Sequence, residues 1–305
     1  MKVYNNFDLK KKHKGSIILI GNFDGVHSGH QKLFKLANRY KKKFKLDIGV
    51  LTFEPMPKMF FNNKIKNFRI SNFDQKIYLL KKIGVDFVIN KKFDYKFSKT
   101  KSFDFIKNII HKKLKAKFVF VSNNFKFGNK REGNVAQLID YESRYGFKIV
   151  KPEPLRIKNK VTSSTLIRSF LENGHLNKAN KLLKRNWTVF GKVEKGRKVG
   201  KKIGFPTCNI DIKDYVLAKP GVYAVRVYRK NRRSYIKGIA NLGYRPTFNQ
   251  EKLLLEVHLF NFSGNLYNKY LSVEFLKFIR KEKKFKNVEQ LSKQIKSDLI
   301  IAKNT

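Results

Sequence analysis

The chain has 305 residues, 41% hydrophobic and 30% charged, the balance of a globular protein long enough to pack two separate cores. Its single cysteine, Cys208, excludes a disulfide within the chain and a cysteine-built zinc site. No apolar run reaches the length of a membrane span, and the opening MKVYNNFDLKKKHKG lacks the apolar block of a secretory leader, so a cytoplasmic protein without a membrane partner is expected.

The formal net charge is +47, but the lysines are scattered through both halves among abundant phenylalanine, isoleucine and asparagine. That pattern reads as a solvated basic surface and a compositional bias, with no specific nucleic-acid partner, although such a field draws in polyanions at low salt.

In chain order, Ile17–Ile20 reads as a buried strand, followed by a helix with Leu33, Leu36, Ala37, Tyr40 and Phe44 on one face. Strands follow at 48–53, 87–89, 118–121 and 147–150. The helices between them cover 77–83, a stretch carrying Phe103, Ile106, Ile109, Ile110 and Leu114, and 135–145. This alternation predicts a Rossmann-like α/β domain with a parallel sheet, whose ligands bind beyond the carboxyl ends of the strands. Residues 163–184 read as two short helices broken at Asn173-Gly174.

From about 185 the rhythm changes to strands at 187–193, 221–228, 235–240, 253–260 and 271–278, then a helix with Val288, Leu291, Ile295 and Leu299 on one face. An antiparallel β-barrel with a terminal helix is expected, giving domains at 1–184 and 185–305.

Four stretches at the predicted carboxyl edge of the parallel sheet carry chemistry. GNFDGVHSGH (21–30) follows the first strand and opens the first long helix. Its glycines Gly21, Gly25 and Gly29 let backbone approach a ligand, and His27 and His30, three apart, point the same way beside a helix N-terminus. That suits charge building on a phosphoryl group; the alternative is a glycine-rich turn with incidental histidines. TFEPMP (52–57) makes a rigid lip with Pro55 and Pro57, and SNNFKFG (122–128) follows the fourth strand. TSSTLIR (162–168) begins a helix, either as an N-cap with a surface arginine or as a second phosphate grip made by hydroxyls and Arg168.

The second half offers GKVEKGRKVGKKIGFPTCNI (191–210), in which Gly196, Gly200 and Gly204 lie among basic side chains. It reads as a phosphate cradle or as a flexible hairpin with solvated lysines. Thr207 and Asn209 then supply oxygens fit for Mg²⁺ bound with a nucleotide. Glu256 alternates with Leu255 and Val257 in an apolar strand, either as a water-facing edge residue or as a base for an alcohol attacking a γ-phosphate; His258 on its face reads as structural.

With HSGH and TSSTLIR together, the chain resembles the nucleotidyltransferase superfamily. With TFEPMP and NFKFG added, residues 15–184 resemble the FMN adenylyltransferase module of bacterial bifunctional FAD synthetases. The resemblance implies that His27 and His30 contact ATP phosphates and steady the transition state, and that Asn22 and Asp24 shape their loop. It also implies that Asn124 contacts substrates, that Pro55 and Pro57 border the flavin, and that Ser163, Ser164, Thr165 and Arg168 hold triphosphate. Ser122 stands where the family often has glycine, which bears on the backbone path of that loop.

Residues 185–303 resemble the riboflavin kinase module through GFPTCN, GYRPTF (243–248), LEVH (255–258) and FIR (278–280) before Glu282 and Phe285. This implies Mg–ATP binding by Thr207 and Asn209, Glu256 as catalytic base, and Arg280 near the flavin. Cys208 replaces the alanine of P-T-A-N, and Asn268 replaces a glycine, a place where asparagine tolerates positive φ.

The function implied is ATP-dependent phosphorylation of riboflavin to FMN and adenylylation of FMN to FAD, with Mg²⁺ in both, by a monomer or weak homo-oligomer. Two other readings stand beside it: a single active module, or an RNA-binding protein on a nucleotidyltransferase core, suggested by the charge and by the H-x-G-H shared with class I aminoacyl-tRNA synthetases.

Overall fold

The computed structural model of the chain describes residues 1–157, 159–195, 200, 204–229, 234–246 and 251–305. The chain divides into two compact units, Met1–Ile65 with Phe73–Ser163, and Lys66–Asn72 with Ser164–Thr305.

The first unit is built on a six-stranded sheet of β1 (Lys2–Tyr4), β2 (Ile17–Ile20), β3 (Ile48–Glu54), β4 (Phe87–Lys92), β5 (Phe118–Phe120) and β6 (Lys148–Val150). The strand order is β1-β4-β3-β2-β5-β6 and every neighbouring pair is parallel. Strands covered on both faces need apolar residues at every position, which is why Ile17–Ile20 is buried throughout. Ile17 and Leu19 pack with Val50, Val88, Phe34, Ala37 and Leu80, the last three from α1 (Ser28–Phe44) and α3 (Phe73–Lys82). Ile18 and Ile20 pack on the opposite face with Ile106, Ile110 and Leu138.

Shorter helices are α2 (Pro57–Phe61), α4 (Tyr95–Ser98) and α5 (Ser102–Asp104), which runs on into a π-helical stretch, Phe105–Lys113. Its apolar residues at 105, 106, 109, 110 and 114 recur too slowly for an α-helix, and Leu114 N donates to Ile109 O at 2.9 Å, a five-residue step. The helix expected over 135–145 is two, α6 (Val135–Asp140) and α7 (Glu142–Tyr145), because Tyr141 leaves helical geometry at φ −95°, ψ 2°. Neither β1 nor the hairpin of β7 (Arg156–Ile157) and β8 (Lys160–Val161) was foreseen, being too short for a period to register. Tyr4, the inner residue of β1, hydrogen-bonds its hydroxyl to His13 Nδ1 at 2.8 Å.

Chain order runs outward from β2 to β3 and β4 on one side, then crosses to β5 and β6 on the other. The connections therefore diverge at the carboxyl ends of β2 and β5 and leave a crevice there, where open α/β sheets take their ligands.

The second unit begins with α8 (Ser164–Glu172) and α9 (Leu176–Leu183), separated at Gly174 with φ +76° as the Asn-Gly break predicts. Six strands then close a barrel: β9 (Thr188–Glu194), β10 (Cys208–Ile210), β11 (Gly221–Arg229), β12 (Tyr235–Pro246), β13 (Glu251–Leu259) and β14 (Tyr270–Arg280), in the order β10-β13-β12-β11-β14-β9 with antiparallel neighbours. α10 (Val288–Lys303) ends the chain, capped by Asn287, whose side chain accepts from Gln290 N.

The three residues of β10 read as loop in the sequence, yet they bridge β9 and β13 and complete closure. Val193, Ile210, Leu255 and Leu242 stand level in register and are almost fully buried, so the barrel is filled.

The segment 66–72 is part of this unit. Arg69 exchanges backbone bonds with the 214–216 stretch, its N–H to Asp214 O at 2.9 Å and its carbonyl from Val216 N at 2.7 Å. The buried indole of Trp187 donates to Ile70 O at 3.0 Å. The units differ from the expected 1–184 and 185–305 over this segment and over α8 and α9. The α9 residue Asn180 accepts from Trp187 N at 2.7 Å and donates to Phe275 O at 3.4 Å.

Arg280 on β14 is clamped by Asp298 on α10. Nε donates to both carboxylate oxygens, at 3.0 and 2.9 Å, and Nη2 lies 2.7 Å from Oδ2. Asp298 is buried, with Gln294 also donating to it. Removing one member strands a buried charge, so Asp298→Ala is expected to destabilise this unit by about 3–5 kcal/mol, read from chemical denaturation. No helix among the described residues is long and apolar enough to cross a membrane.

Candidate functional site

The loop after β2 is held in a costly backbone conformation. Phe23, Gly25 and Val26 all have positive φ, +48°, +75° and +39°. Only the glycine adopts this freely, and for a β-branched valine it is a genuine outlier. Burial of Phe23 and Val26 and two hydrogen bonds, Val26 N to Phe23 O at 3.1 Å and Gln31 Nε2 to Val26 O at 3.0 Å, hold it there. The turn delivers His27 to the N-cap of α1, and one helical turn later His30 stacks on it, with ring centroids 3.6 Å apart and planes 22° off parallel. The Phe23 ring meets His30 edge-on at 5.1 Å.

Burial, and secondarily the neighbouring His27, hold the His30 imidazole well below its ordinary pKa of 6.5, so it is neutral at pH 7. Below pH 6.5 the unfolded chain takes up a proton that folded His30 refuses, so its contribution to stability is lost as pH falls through that value and constant above it. The thermal unfolding midpoint is therefore expected to drop between pH 7.5 and 5.5, and His30→Gln to shrink the drop. His13, also lowered by burial, keeps it from vanishing.

Three buried side-chain atoms around this turn, Ser28 Oγ, His30 Nδ1 and Thr162 Oγ1, have no hydrogen-bond partner among the described residues. A folded chain rarely leaves such groups unsatisfied, and three near one another suit a polar ligand. The two segments approach each other at Gly29, where a Cβ would lie 3.2 Å from the His27 ring and 3.3 Å from Thr162 O. HSGH thus meets the start of TSSTLIR within the first unit.

Around this centre Asp24 and Gly25 are buried, Asn22 is exposed, Gly21 N donates to Leu51 O at 3.0 Å, and Ser163 ends the unit. Pro55 follows β3, and Pro57 takes the first helical position of α2, where a missing N–H costs nothing. Asn124 is exposed, its Oδ1 accepting from Ser122 Oγ at 3.0 Å. Ser122 is not among the residues with positive φ, so the loop needs no glycine there.

Sequence reasoning had Thr162 only as part of TSSTLIR, and it missed Ser28 and an aromatic group beside the proline lip. Phe60, Phe61 and Phe93 lie with ring centroids 5.2 to 5.7 Å apart, Phe53 and Phe97 pack behind them, and Phe61 is 70% exposed. The Phe60-Phe61 doublet next to PMP was the only available signal.

Ser164, Thr165 and Arg168 belong to α8 in the second unit. Arg168 is buried, donates from Nε to Phe68 O at 2.7 Å, and lies 3.7 Å over the Phe68 ring.

On the barrel, register gathers the predicted residues. Asn209 stands directly opposite Glu194 on β9 and Glu256 on β13. Glu256 stands opposite Asn241 on β12, and the same level continues through Val222 to Arg280. Cross-strand partners share a face, and because Leu255 and Val257 fill the interior, this row faces outward. Asn209 is only 6% exposed, yet its Oδ1 has no hydrogen-bond partner among the described residues. Glu256 is half-buried and Thr207 exposed, one residue before β10.

Gly200 O accepts from Phe205 N at 2.8 Å, and Gly204 has φ +84°. Gly196 lies outside the described residues, as do Thr247 and Phe248 of GYRPTF. The Arg280 guanidinium is engaged by Asp298 as above. Asn241, missed in the sequence, donates to Glu282 Oε1 at 3.3 Å. Burial raises the Cys208 thiol to about 11, so it stays protonated, and Asn268 has φ +63°, the conformation a glycine would have supplied. Asn209 and Glu256 thus stand opposite each other in register, with Thr207 one residue before β10: an amide oxygen, a carboxylate and a hydroxyl, the donor types that suit a nucleotide with a hard cation.

Two family models match the chain, FAD synthetase over residues 9–166 and riboflavin kinase over 183–305. Curated relatives described as bifunctional riboflavin kinase/FMN adenylyltransferase include one from Buchnera aphidicola of Schizaphis graminum, 40% identical over 97% of this chain and 96% of its own length. Another, from Haemophilus influenzae, is 40% identical over 95% and 94%, and one from Escherichia coli K12 is 34% identical over 95% and 92%. A crystal structure of a Streptococcus pneumoniae protein described as a macrolide-efflux protein superposes with TM-score 0.86 at 28% identity, covering 99% of this chain and 98% of that one.

Proposed function

This chain belongs to the bifunctional riboflavin kinase/FMN adenylyltransferase family, and on that premise we propose how its residues divide the two activities. It phosphorylates riboflavin with ATP to give FMN, and joins FMN to AMP from a second ATP to give FAD and pyrophosphate. The adenylyl transfer is assigned to 1–184 and the kinase to 185–305.

In the kinase, the riboflavin 5′-oxygen attacks the γ-phosphorus, its proton passes to the Glu256 carboxylate, and ADP leaves. Thr207 and Asn209 hold the β- and γ-phosphate end of Mg–ATP, with Gly196, Gly200 and Gly204 lending backbone, and Arg280 borders the flavin. Mg²⁺ bound with the nucleotide would supply neutralisation of the phosphate charge. The buried Asn209 Oδ1 and the Thr207 hydroxyl fit such an ion. The observation that carries this reading is the buried oxygen of Asn209, without a hydrogen-bond partner among the described residues and set in register with Glu256.

In the adenylyltransferase, a phosphate oxygen of FMN attacks the α-phosphorus of ATP and pyrophosphate leaves. That nucleophile is already ionised, so no base is required. His27 and neutral His30 act as hydrogen-bond donors to phosphate, and Ser28 and Thr162 add hydroxyls at the same turn. Asn22, Asp24, Gly21 and Gly25 shape the loop; Ser163, Ser164, Thr165 and Arg168 hold triphosphate. Pro55, Pro57 and Asn124 border the flavin, whose planar ring suits the aromatic group of Phe60, Phe61 and Phe93.

Riboflavin, ATP and Mg²⁺ incubated with the protein and resolved by chromatography should yield FAD. FMN alone would mean an inactive N-terminal unit, and no flavin product would overturn the assignment, with salt-sensitive RNA binding beside it as the mark of the RNA-binding reading.

A further inference from the structure

His258 lies two residues beyond Glu256 on β13 and on the same face, about 7 Å along the strand. Its Nδ1 is 2.8 Å from the carbonyl oxygen of Pro206. A carbonyl only accepts, so Nδ1 carries a proton and donates it.

The carbonyl it holds belongs to the peptide whose N–H is that of Thr207, so the bond fixes the plane from which the Thr207 side chain departs. Proline has no N–H of its own, which leaves the carbonyl as the backbone anchor at that residue. One residue earlier, Phe205 N is tied to Gly200 O at 2.8 Å and its ring meets His258 edge-on at 5.9 Å. One residue after Thr207, Cys208 pairs with Val257. The strand that carries the proposed base therefore also carries the tie that orients the proposed ATP ligand.

We propose that His258 is a positioning residue of the kinase site: through its Nδ1–H it holds the Pro206–Thr207 peptide and so aligns the Thr207 hydroxyl with Asn209 and Glu256. This rests on the assignment of Thr207 and Glu256 to the kinase. A group that orients a ligand of the nucleotide in ground and transition states alike changes KM more than kcat.

Three variants separate the hydrogen bond from the ring. His258→Phe keeps a ring against Phe205 without a donor, His258→Asn keeps an N–H near the Nδ1 position without the ring, and His258→Ala removes both. KM for Mg–ATP in FMN formation is expected to rise about fivefold or more in Phe and Ala with kcat within about twofold, and to return close to wild type in Asn. FAD formation from supplied FMN should be unchanged in all three. An unaltered KM in His258→Phe, or an Asn variant as impaired as Phe, overturns the proposal. So does parallel loss of both activities with a lowered unfolding temperature, which would mark a packing role. Glu256→Gln assayed alongside keeps the two ideas apart: if it retains kinase activity, the site assignment itself fails, whatever His258 does.

Discussion

Glu256→Gln is expected to lower kcat for FMN formation by at least about 100-fold, the scale of a lost general base, while FAD formation from supplied FMN continues at the wild-type rate. Glutamine keeps the size of the side chain and its ability to accept from Asn209 or Asn241, its register neighbours, so binding should survive. What it loses is the capacity to take the 5′-hydroxyl proton. A fall in kcat and kcat/KM together, with KM steady, is the signature of an interaction made only in the transition state. Initial rates with riboflavin and with FMN, each followed by chromatography, check it. Simultaneous loss of both activities would refute separate sites.

His30→Ala is expected to do the reverse, cutting FAD formation from FMN by about 100- to 1,000-fold with the kinase intact. The variant removes one donor to phosphate and also the ring on which His27 rests at 3.6 Å, so His27 loses its orientation as well. Because His30 is neutral at pH 7, its role is that of an oriented dipole, and wild-type FAD formation should show no inflection near pH 6.5 attributable to it. An ordinary histidine titration in that profile, abolished in His30→Ala, would contradict the neutral-donor role.

Much of this was legible because the strongest signals were local. Ile17–Ile20 followed by GNFDGVHSGH needs only a buried strand and a glycine-rich turn to be understood, and the structure places that turn at the crevice beside β2. The alternation around Glu256 likewise fixed its face. What escaped depends on pairing between distant segments. Cys208–Ile210 is a strand only because β9 and β13 lie on either side of it. The approach of Thr162 to the HSGH turn shows only at Gly29, where a Cβ would lie 3.3 Å from the Thr162 carbonyl. The joint level of Asn209, Glu256 and Asn241 is a property of register that no single stretch encodes.

The stretch 66–72 bears on how the gene can be cut. Its Ile70 carbonyl is the acceptor for the buried Trp187 indole, and Arg69 completes a backbone ladder with Tyr215. A clone begun at 185 would discard both and leave an indole N–H orphaned inside the protein, a penalty of about 1–3 kcal/mol before any lost packing. The kinase half is thus not a detachable bead on a string: seven residues of its body are spelled out more than a hundred codons upstream, inside the other half's reading frame.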